Sequence, residues 1–285
     1  MLSEMGQSAR AAFRQMAKAG SGIKNEALCT LATLIEQERV EILQANNRDV
    51  DAARVSGIGA ALIDRLALTP ERLQGLSSDL RKLADLPDPI GECYDKTVLS
   101  NGLKLSRQRV PLGVLGVIYE SRPNVTIDVS GLVIKTGNEV VLRGGKETIH
   151  SNRMLVALTQ KALQQSGLPA ETVQFLDNPD RTLVLELLKL HEYVDVIIPR
   201  GGEGLHRFCR ENSRIPVITG GIGICHIFVD TTANTEKALP VIHNSKTQRP
   251  SVCNALDTVL VHRDVAANFL PRLVEYLAPA GVTFR

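Results

Sequence analysis

One thiol stands out by its setting. In the stretch Lys246-Thr247-Gln248-Arg249-Pro250-Ser251-Val252-Cys253-Asn254-Ala255-Leu256, Cys253 comes three residues after Pro250 and just before an apolar run, Thr258 to Val261. The residue before a proline is pushed toward extended backbone, so Arg249-Pro250 predicts a loop. Val259-Leu260-Val261 is β-branched and apolar and predicts a buried strand. Cys253 thus falls where a loop meets a buried element, a good place to hold a nucleophile rigidly. The thiolate is the reactive form, and neighbouring positive charge stabilises it. Lys246 and Arg249 could supply that charge. The plain alternative is a small buried hydrophobe, a frequent fate of free cysteine.

A second group of residues could bind phosphates. Glu120-Ser121-Arg122-Pro123-Asn124 follows an apolar run that ends at Tyr119. Arg143-Gly144-Gly145-Lys146 follows Leu142, and Pro199-Arg200-Gly201-Gly202-Glu203-Gly204 follows Ile198. Glycines with basic neighbours offer what phosphate needs, namely open backbone N–H groups and a cation. None of the three is G-x-G-x-x-G or a Walker loop. Any one alone reads as a turn with a solvated charge, but together they mark three strand ends. A dinucleotide fits such an edge. A carboxylate on the ribose 2′-hydroxyl is the usual NAD signature, whereas a cation there favours NADP. Lys146 or Arg143 would be that cation.

Other chemistries find little support. The six histidines (150, 191, 206, 226, 243 and 262) show neither HExxH nor HxxxH spacing. His226 and His262 lie in apolar strands and read as core or strand-end residues. Ser251 has no G-x-S-x-G elbow around it.

The elements that must carry these loops can be read in order. Residues 1 to about 90 predict helices. Ser21-Gly22 opens a long periodic stretch that carries Ile23, Ala27, Leu28, Leu31, Leu34, Ile35 and Ile42 and is broken at Gly57-Ile58-Gly59. Thr69-Pro70-Glu71 predicts a helix start, with Thr69 as N-cap and proline in the first position. Leu86-Pro87-Asp88-Pro89 ends it. From Tyr94 to Arg109 two extended runs flank Asn101-Gly102, a hairpin signal. Strands then alternate with helices. The strands are 114–119, 139–142, 173–175, 194–198, 216–218, 225–229 and 258–261. The helices are 127–136, 151–166, 180–190, 202–211, 235–244 and 265–277. That alternation predicts an α/β fold with a parallel sheet covered on both faces.

Composition sets outer bounds. The chain has 285 residues, 44% hydrophobic and 22% charged, enough for one large or two smaller domains. A net charge of +2 and only 4% aromatics argue against nucleic acid as a partner. Five cysteines without a CxxC argue against disulfide frameworks and zinc, and suit a reducing, cytoplasmic setting. No secretory h-region follows Met1, and the longest apolar run, Val110 to Tyr119, is too short to span a bilayer.

Several segments resemble one family over essentially the whole chain and in order. They are PLGVLGVIYESRPNVTID at 111–128, KTGNEVVLRGGKE at 135–147, IIPRGGEGLHR at 197–207, IPVITGGIGICHIFVD at 215–230 and QRPSVCNALDTVLVH at 248–262. They are similar to the gamma-glutamyl phosphate reductases, the proline-biosynthesis branch of the aldehyde dehydrogenase superfamily. The resemblance implies an aldehyde-dehydrogenase-like fold. A Rossmann-type cofactor domain would take 1–93 and 110–247, an oligomerisation hairpin 94–109, and the start of a catalytic domain 248–285. It implies NADPH-dependent reduction of L-glutamyl 5-phosphate to L-glutamate 5-semialdehyde, with Cys253 as nucleophile. Arg143 and Lys146 would meet the adenosine ribose, Gly201 and Gly202 the pyrophosphate, and Ser121 the cofactor. Asn124 would supply an oxyanion amide. Arg122 or Arg249 would hold the phosphate or the substrate carboxylates.

The family pattern also shows where this chain departs from it. Hydrolytic relatives carry a glutamate base about where Thr219 stands, and its absence suits a thioester resolved by hydride rather than water. Family members are longer, which implies a C-terminally truncated chain whose hairpin lacks its partner strand. The complete protein would be a homo-oligomer, and the 285-residue chain a monomer or poorly soluble. The alternatives are another NADP-dependent aldehyde dehydrogenase, or an inactive fragment serving as a binding module, for example toward glutamate 5-kinase.

Overall fold

The computed structural model describes residues 2–220, 223–250 and 252–285. It divides into two compact units, Met1–Thr219 and Gly220–Arg285.

The first unit opens with helices α1 (Leu2–Met16), α2 (Ser21–Gln37), α3 (Arg39–Val55), α4 (Ala60–Leu66) and α5 (Pro70–Asp85). The predicted long helical stretch is two helices, because the chain turns at Glu38 (φ −93°, ψ 24°) between α2 and α3. On α2 the apolar stripe Ala27, Leu28, Leu31, Leu34 and Ile35 is buried. The start of α5 is as expected: Thr69 accepts a hydrogen bond from the Arg72 N–H at 3.2 Å, and Pro70 stands in the first turn, where its missing donor costs nothing.

A hairpin follows, β1 (Cys93–Val98) paired antiparallel with β2 (Lys104–Gln108). Every residue of both strands is exposed.

The rest of the unit alternates strand and helix. It runs β3 (Val114–Tyr119), α6 (Asn124–Lys135), β4 (Glu139–Arg143), α7 (Ile149–Gln165), β5 (Val173–Phe175), α8 (Thr182–Leu187), β6 (Val196–Arg200) and α9 (Glu203–Asn212). The four strands form one parallel sheet in the order β5-β4-β3-β6. Side chains alternate between faces with period two. Leu115, Val117 and Tyr119 of β3 join Leu28, Leu80, Ile134 and Leu155 in one core, while Val114 and Ile118 join Ala9, Leu187, Ile197 and Cys209 in another. Both faces are therefore covered, which is why β3 reads as an unbroken apolar run.

Two expected elements are smaller than predicted. Residues 216–218 make only a single bridge, Val217 to Ile197, because Pro216 has no N–H to give and its carbonyl accepts from Ile197 at 2.9 Å. The 180–190 helix shrinks to α8, which starts late because Asp180 uses its carboxylate to bind the Thr182 N–H at 2.9 Å.

The second unit is a β-α-β-α arrangement of β7 (Cys225–Val229), α10 (Thr235–Thr247), β8 (Leu256–Val261) and α11 (Arg263–Leu277). Strands β7 and β8 pair in parallel. Val229, Leu239, Ile242, Leu256, Phe269 and Leu273 form its core. The compact boundary therefore falls at 219/220 rather than at the expected 247/248. Val229, Leu239 and Ile242 from residues 225–247 share that core with Leu256 of β8 and Phe269 and Leu273 of α11.

Candidate active site

Strand order locates the crevice in the first unit. From β3 the chain steps outward to β4 and β5, then returns to place β6 on the other side of β3. The connections leaving β3 and β6 diverge at this switch point, and α/β sheets bind ligands there, beyond the carboxyl ends of the strands. Tyr119 pairs with Arg200 and Ile118 with Arg143, so the loops after β3, β4 and β6 emerge at one edge. These are the three loops that the sequence singled out.

The β3 loop is strained and tied down. Ser121 has φ +33°, a left-handed conformation that side chains seldom adopt and that concentrates at functional loops. Its hydroxyl donates to the Glu147 carboxylate. Asn124 opens α6, and its amide donates to Asp128 at 2.9 Å. Arg122 is half-buried in the same loop.

The β4 loop is built closely against its surroundings. Arg143 is only 8% exposed and donates to the carbonyls of Gly144 and, at 2.9 Å, Pro179. Burial pulls its guanidinium below the ordinary arginine value. Its Nε is buried without a hydrogen-bond partner among the described residues. Lys146 is exposed and starts a short 3-10 turn, Lys146–Thr148. A Cβ on Gly144 would displace the Asn152 amide, and one on Gly145 the Glu147 carboxylate, so a side chain at either position would disturb the hydrogen bonds of those groups.

The β6 loop leads into α9. The Gly202 N–H donates to Glu120 Oε2 at 3.3 Å, and a Cβ on Gly201 would sit 2.7 Å from the Glu120 carboxyl carbon. A Cβ on Gly202 or Gly204 would meet nothing within 4 Å, so this helix start faces open space. An uncrowded helix start at Gly202–Gly204, the exposed Lys146 of the β4 loop and the unpartnered buried Arg143 Nε fit a phosphate-bearing dinucleotide.

A buried polar chain beneath the loops was not anticipated. Tyr119 and Thr126 share a hydrogen bond of 2.7 Å, Thr126 donates to Asn152 at 2.9 Å, and Asn152 donates to Thr148 at 2.8 Å. Thr148 in turn donates to the Gly145 carbonyl at 3.0 Å. Burial pushes the Tyr119 phenol well above its ordinary value, so it stays protonated in this chain. Glu120 and Glu147, the carboxylates that fill hydrogen-bonding positions in the loops, were not anticipated either. Acidic residues beside glycines look solvated in a sequence.

In the second unit Cys253 is exposed, in a turn that leads into β8. The Val252 N–H donates to Arg249 at 3.3 Å and the Ala255 N–H to Val252 at 3.1 Å. The Cys225 thiol donates to the Cys253 carbonyl at 3.5 Å. Lys246, expected to charge the thiol's surroundings, instead donates to the Leu256 carbonyl at 2.9 Å. That bond ties the end of α10 to the start of β8. Arg249 is exposed. Ser251 lies outside the described residues.

Comparison with known proteins agrees with this architecture. The aldehyde dehydrogenase family model matches residues 2–282. The chain is 58% identical over 283 residues to the gamma-glutamyl phosphate reductase of Photorhabdus laumondii, and 56% identical over 286 residues to that of Roseiflexus castenholzii. It spans 68% of the length of each, and they cover 99% and 100% of it. The crystal structure of gamma-glutamyl phosphate reductase from Thermotoga maritima superposes with a TM-score of 0.91 at 44% identity, covering 99% of this chain and 68% of that one. The Saccharomyces cerevisiae structure gives 0.71 at 29%, covering 98% and 70%. Aldehyde dehydrogenases use a nicotinamide cofactor. No helix among the described residues is long and apolar enough to cross a membrane. The chain belongs to the aldehyde dehydrogenase family, in its gamma-glutamyl phosphate reductase branch, the oxidoreductases that form glutamate 5-semialdehyde in proline biosynthesis.

Proposed function

We propose that the chain makes glutamate 5-semialdehyde through a thioester on Cys253, with NADPH as the reductant. The observation that carries this reading is the exposed Cys253 in the turn that opens β8. Its thiolate attacks the acyl carbon of L-glutamyl 5-phosphate, the carbon–oxygen bond to phosphate breaks, and the thioester remains on sulfur. Splitting the reaction in this way replaces one difficult step by two easier ones. When bound, NADPH supplies the hydride that reduces the thioester. The resulting hemithioacetal collapses to the aldehyde and returns the thiolate.

The remaining roles belong to the chain. The unit Met1–Thr219 binds the cofactor and Gly220–Arg285 begins the catalytic domain. Gly201 and Gly202 present backbone N–H groups to the pyrophosphate, and Ser121 closes the same edge. Lys146 is exposed and offers its charge to a ribose 2′-phosphate. Arg143, held by two carbonyls, contributes mainly to the shape of the β4 loop and a fixed positive field. Asn124 is the candidate oxyanion donor, oriented by Asp128. Such a donor is typically worth roughly 3 to 4 kcal/mol of barrier. Arg122 and Arg249 are the candidate anchors for phosphate and carboxylates. The exposed hairpin is the oligomerisation arm, since a two-stranded hairpin alone is marginal in water.

The test is the reverse reaction, phosphate-dependent reduction of NADP⁺ with glutamate 5-semialdehyde. Reduction that needs phosphate and is lost in Cys253→Ala is the expected result. Reduction independent of phosphate would overturn the acyl-phosphate chemistry.

A further inference from the structure

Cys225 and Cys253 stand at one end of the two-stranded sheet in the second unit. Cys225 opens β7 and is half-buried, while Cys253 is exposed in the turn before β8. The Cys225 thiol reaches the Cys253 carbonyl at 3.5 Å across 28 residues of sequence. A Cβ on Gly223 would lie 3.3 Å from the same carbonyl oxygen, so the lead-in to β7 runs against this turn. Cys225 is also where the β7–β8 register shifts, between Cys225 and His226. Cys253 lies outside the ladder, in a turn with hydrogen bonds of 3.3 and 3.1 Å on either side. Cys225 sits in the ladder's irregular end pair with Leu256, so adjustment toward disulfide geometry involves that end pair and leaves the pairs from His226 to Val229 in place. The other thiols lack such a neighbour. Cys29 and Cys93 are exposed on α2 and β1, and Cys209 is buried, with burial pushing its thiol up to about 11.

We propose that Cys225 and Cys253 form a reversible intramolecular disulfide when a hydroperoxide oxidises Cys253. The Cys253 thiolate attacks the terminal peroxide oxygen, the O–O bond breaks, and sulfenic acid forms with release of hydroxide from hydrogen peroxide or of an alkoxide from an organic hydroperoxide. The Cys225 sulfur then attacks the Cys253 sulfur, the S–O bond breaks, and water leaves as the S–S bond forms, its oxygen coming from the sulfenic acid. Two thiols are oxidised by one peroxide, and a dithiol reverses the change. The pairing diverts Cys253 from sulfinic acid, which thiols do not repair. The bond rests on the geometry alone, while its effect on turnover rests on the proposed role of Cys253.

The test treats the protein with hydrogen peroxide, alkylates remaining thiols and maps the peptides by mass. The expected product joins the peptides of 225 and 253, two hydrogens lighter, and is released by dithiothreitol. In Cys225→Ser, dimedone should instead trap Cys253, which should pass to sulfinic acid several-fold faster than in the wild type. Wild-type protein that gives only dimedone-labelled or sulfinic Cys253, without the joined peptide, overturns the proposal, and this map needs no variant to fold. A joined peptide in protein that keeps full turnover would overturn the nucleophile assignment and leave the disulfide standing.

Discussion

Glu120 lays its carboxylate on the backbone N–H of Gly202, 3.3 Å away, bridging the ends of β3 and β6. The N–H that a pyrophosphate oxygen would use is thus already met by an anion of the chain itself. Charge near a helix start is typically worth about 0.3–1 kcal/mol at low salt. Glu120→Gln should therefore tighten NADPH binding by about two- to fivefold in a fluorescence titration. Weaker binding would mean that Glu120 shapes the pocket more than it competes for it.

Lys146 decides cofactor preference if its exposed charge meets the 2′-phosphate. Lys146→Glu should then weaken NADPH binding by at least tenfold more than NADH binding. Equal losses for the two cofactors would separate Lys146 from that phosphate.

Cys253→Ala should abolish turnover and leave NADPH titration nearly unchanged, because the cofactor loops belong to the other compact unit. Retention of a tenth of the activity would exclude Cys253 as the nucleophile.

Glu139 gives the first unit a pH dependence. It is fully buried at the start of β4, receives one hydrogen bond, from Thr172 at 3.3 Å, and has its other oxygen unpartnered among the described residues. Burial pushes its carboxyl up to about 9. The folded chain therefore holds this proton more tightly than the unfolded chain does. The stability so gained is present in full below the unfolded value near 4.5 and is lost as pH rises through about 9. Glu139→Gln should remove that slope, so its melting temperature should exceed the wild type's increasingly from pH 6 to pH 9. Parallel melting curves across this range would show that Glu139 stays ionised.

Asn152 links Thr126 to Thr148 under the β3 and β4 loops. Asn152→Ala removes two buried hydrogen bonds and leaves Thr126 with Tyr119 and Thr148 with the Gly145 carbonyl alone, a loss of about 1–3 kcal/mol. Denaturant melts of the two proteins would measure it. NADPH affinity should fall as well, since both loops lose their common support.

Much of this was readable from local patterns. Val114 to Tyr119 is apolar throughout because both faces of β3 are covered, and Thr69-Pro70 caps α5 with groups adjacent in sequence. The hairpin followed from Asn101-Gly102, where Gly102 has φ +84°. What escaped depends on residues far apart in the chain. Ser121 meets Glu147 and Thr126 meets Asn152, each 26 residues away, and no short-range pattern announces such pairs. The extent of the second compact unit is equally non-local: Arg249-Pro250 reads as a loop, and the strands before and after it pair with each other. Lys246 lies close to Cys253 in sequence, but the α10 helix turns it toward Leu256.

Arg10 on α1 grips Asp195 through two hydrogen bonds of 2.7 Å, and the same carboxylate accepts the Val114 N–H at 2.8 Å. Residues 185 positions apart are thereby joined at the foot of the sheet. During synthesis α1 can settle on β4 and on residues 170–172 once these have emerged, with Gln174 donating to the Met5 carbonyl at 2.9 Å, but its clamp on Asp195 closes only later. β3 waits equally long for β6, its second neighbour. A chain that has not reached residue 196 therefore carries an open β3 edge and an unclamped α1, and the unit closes late through contacts far apart in sequence.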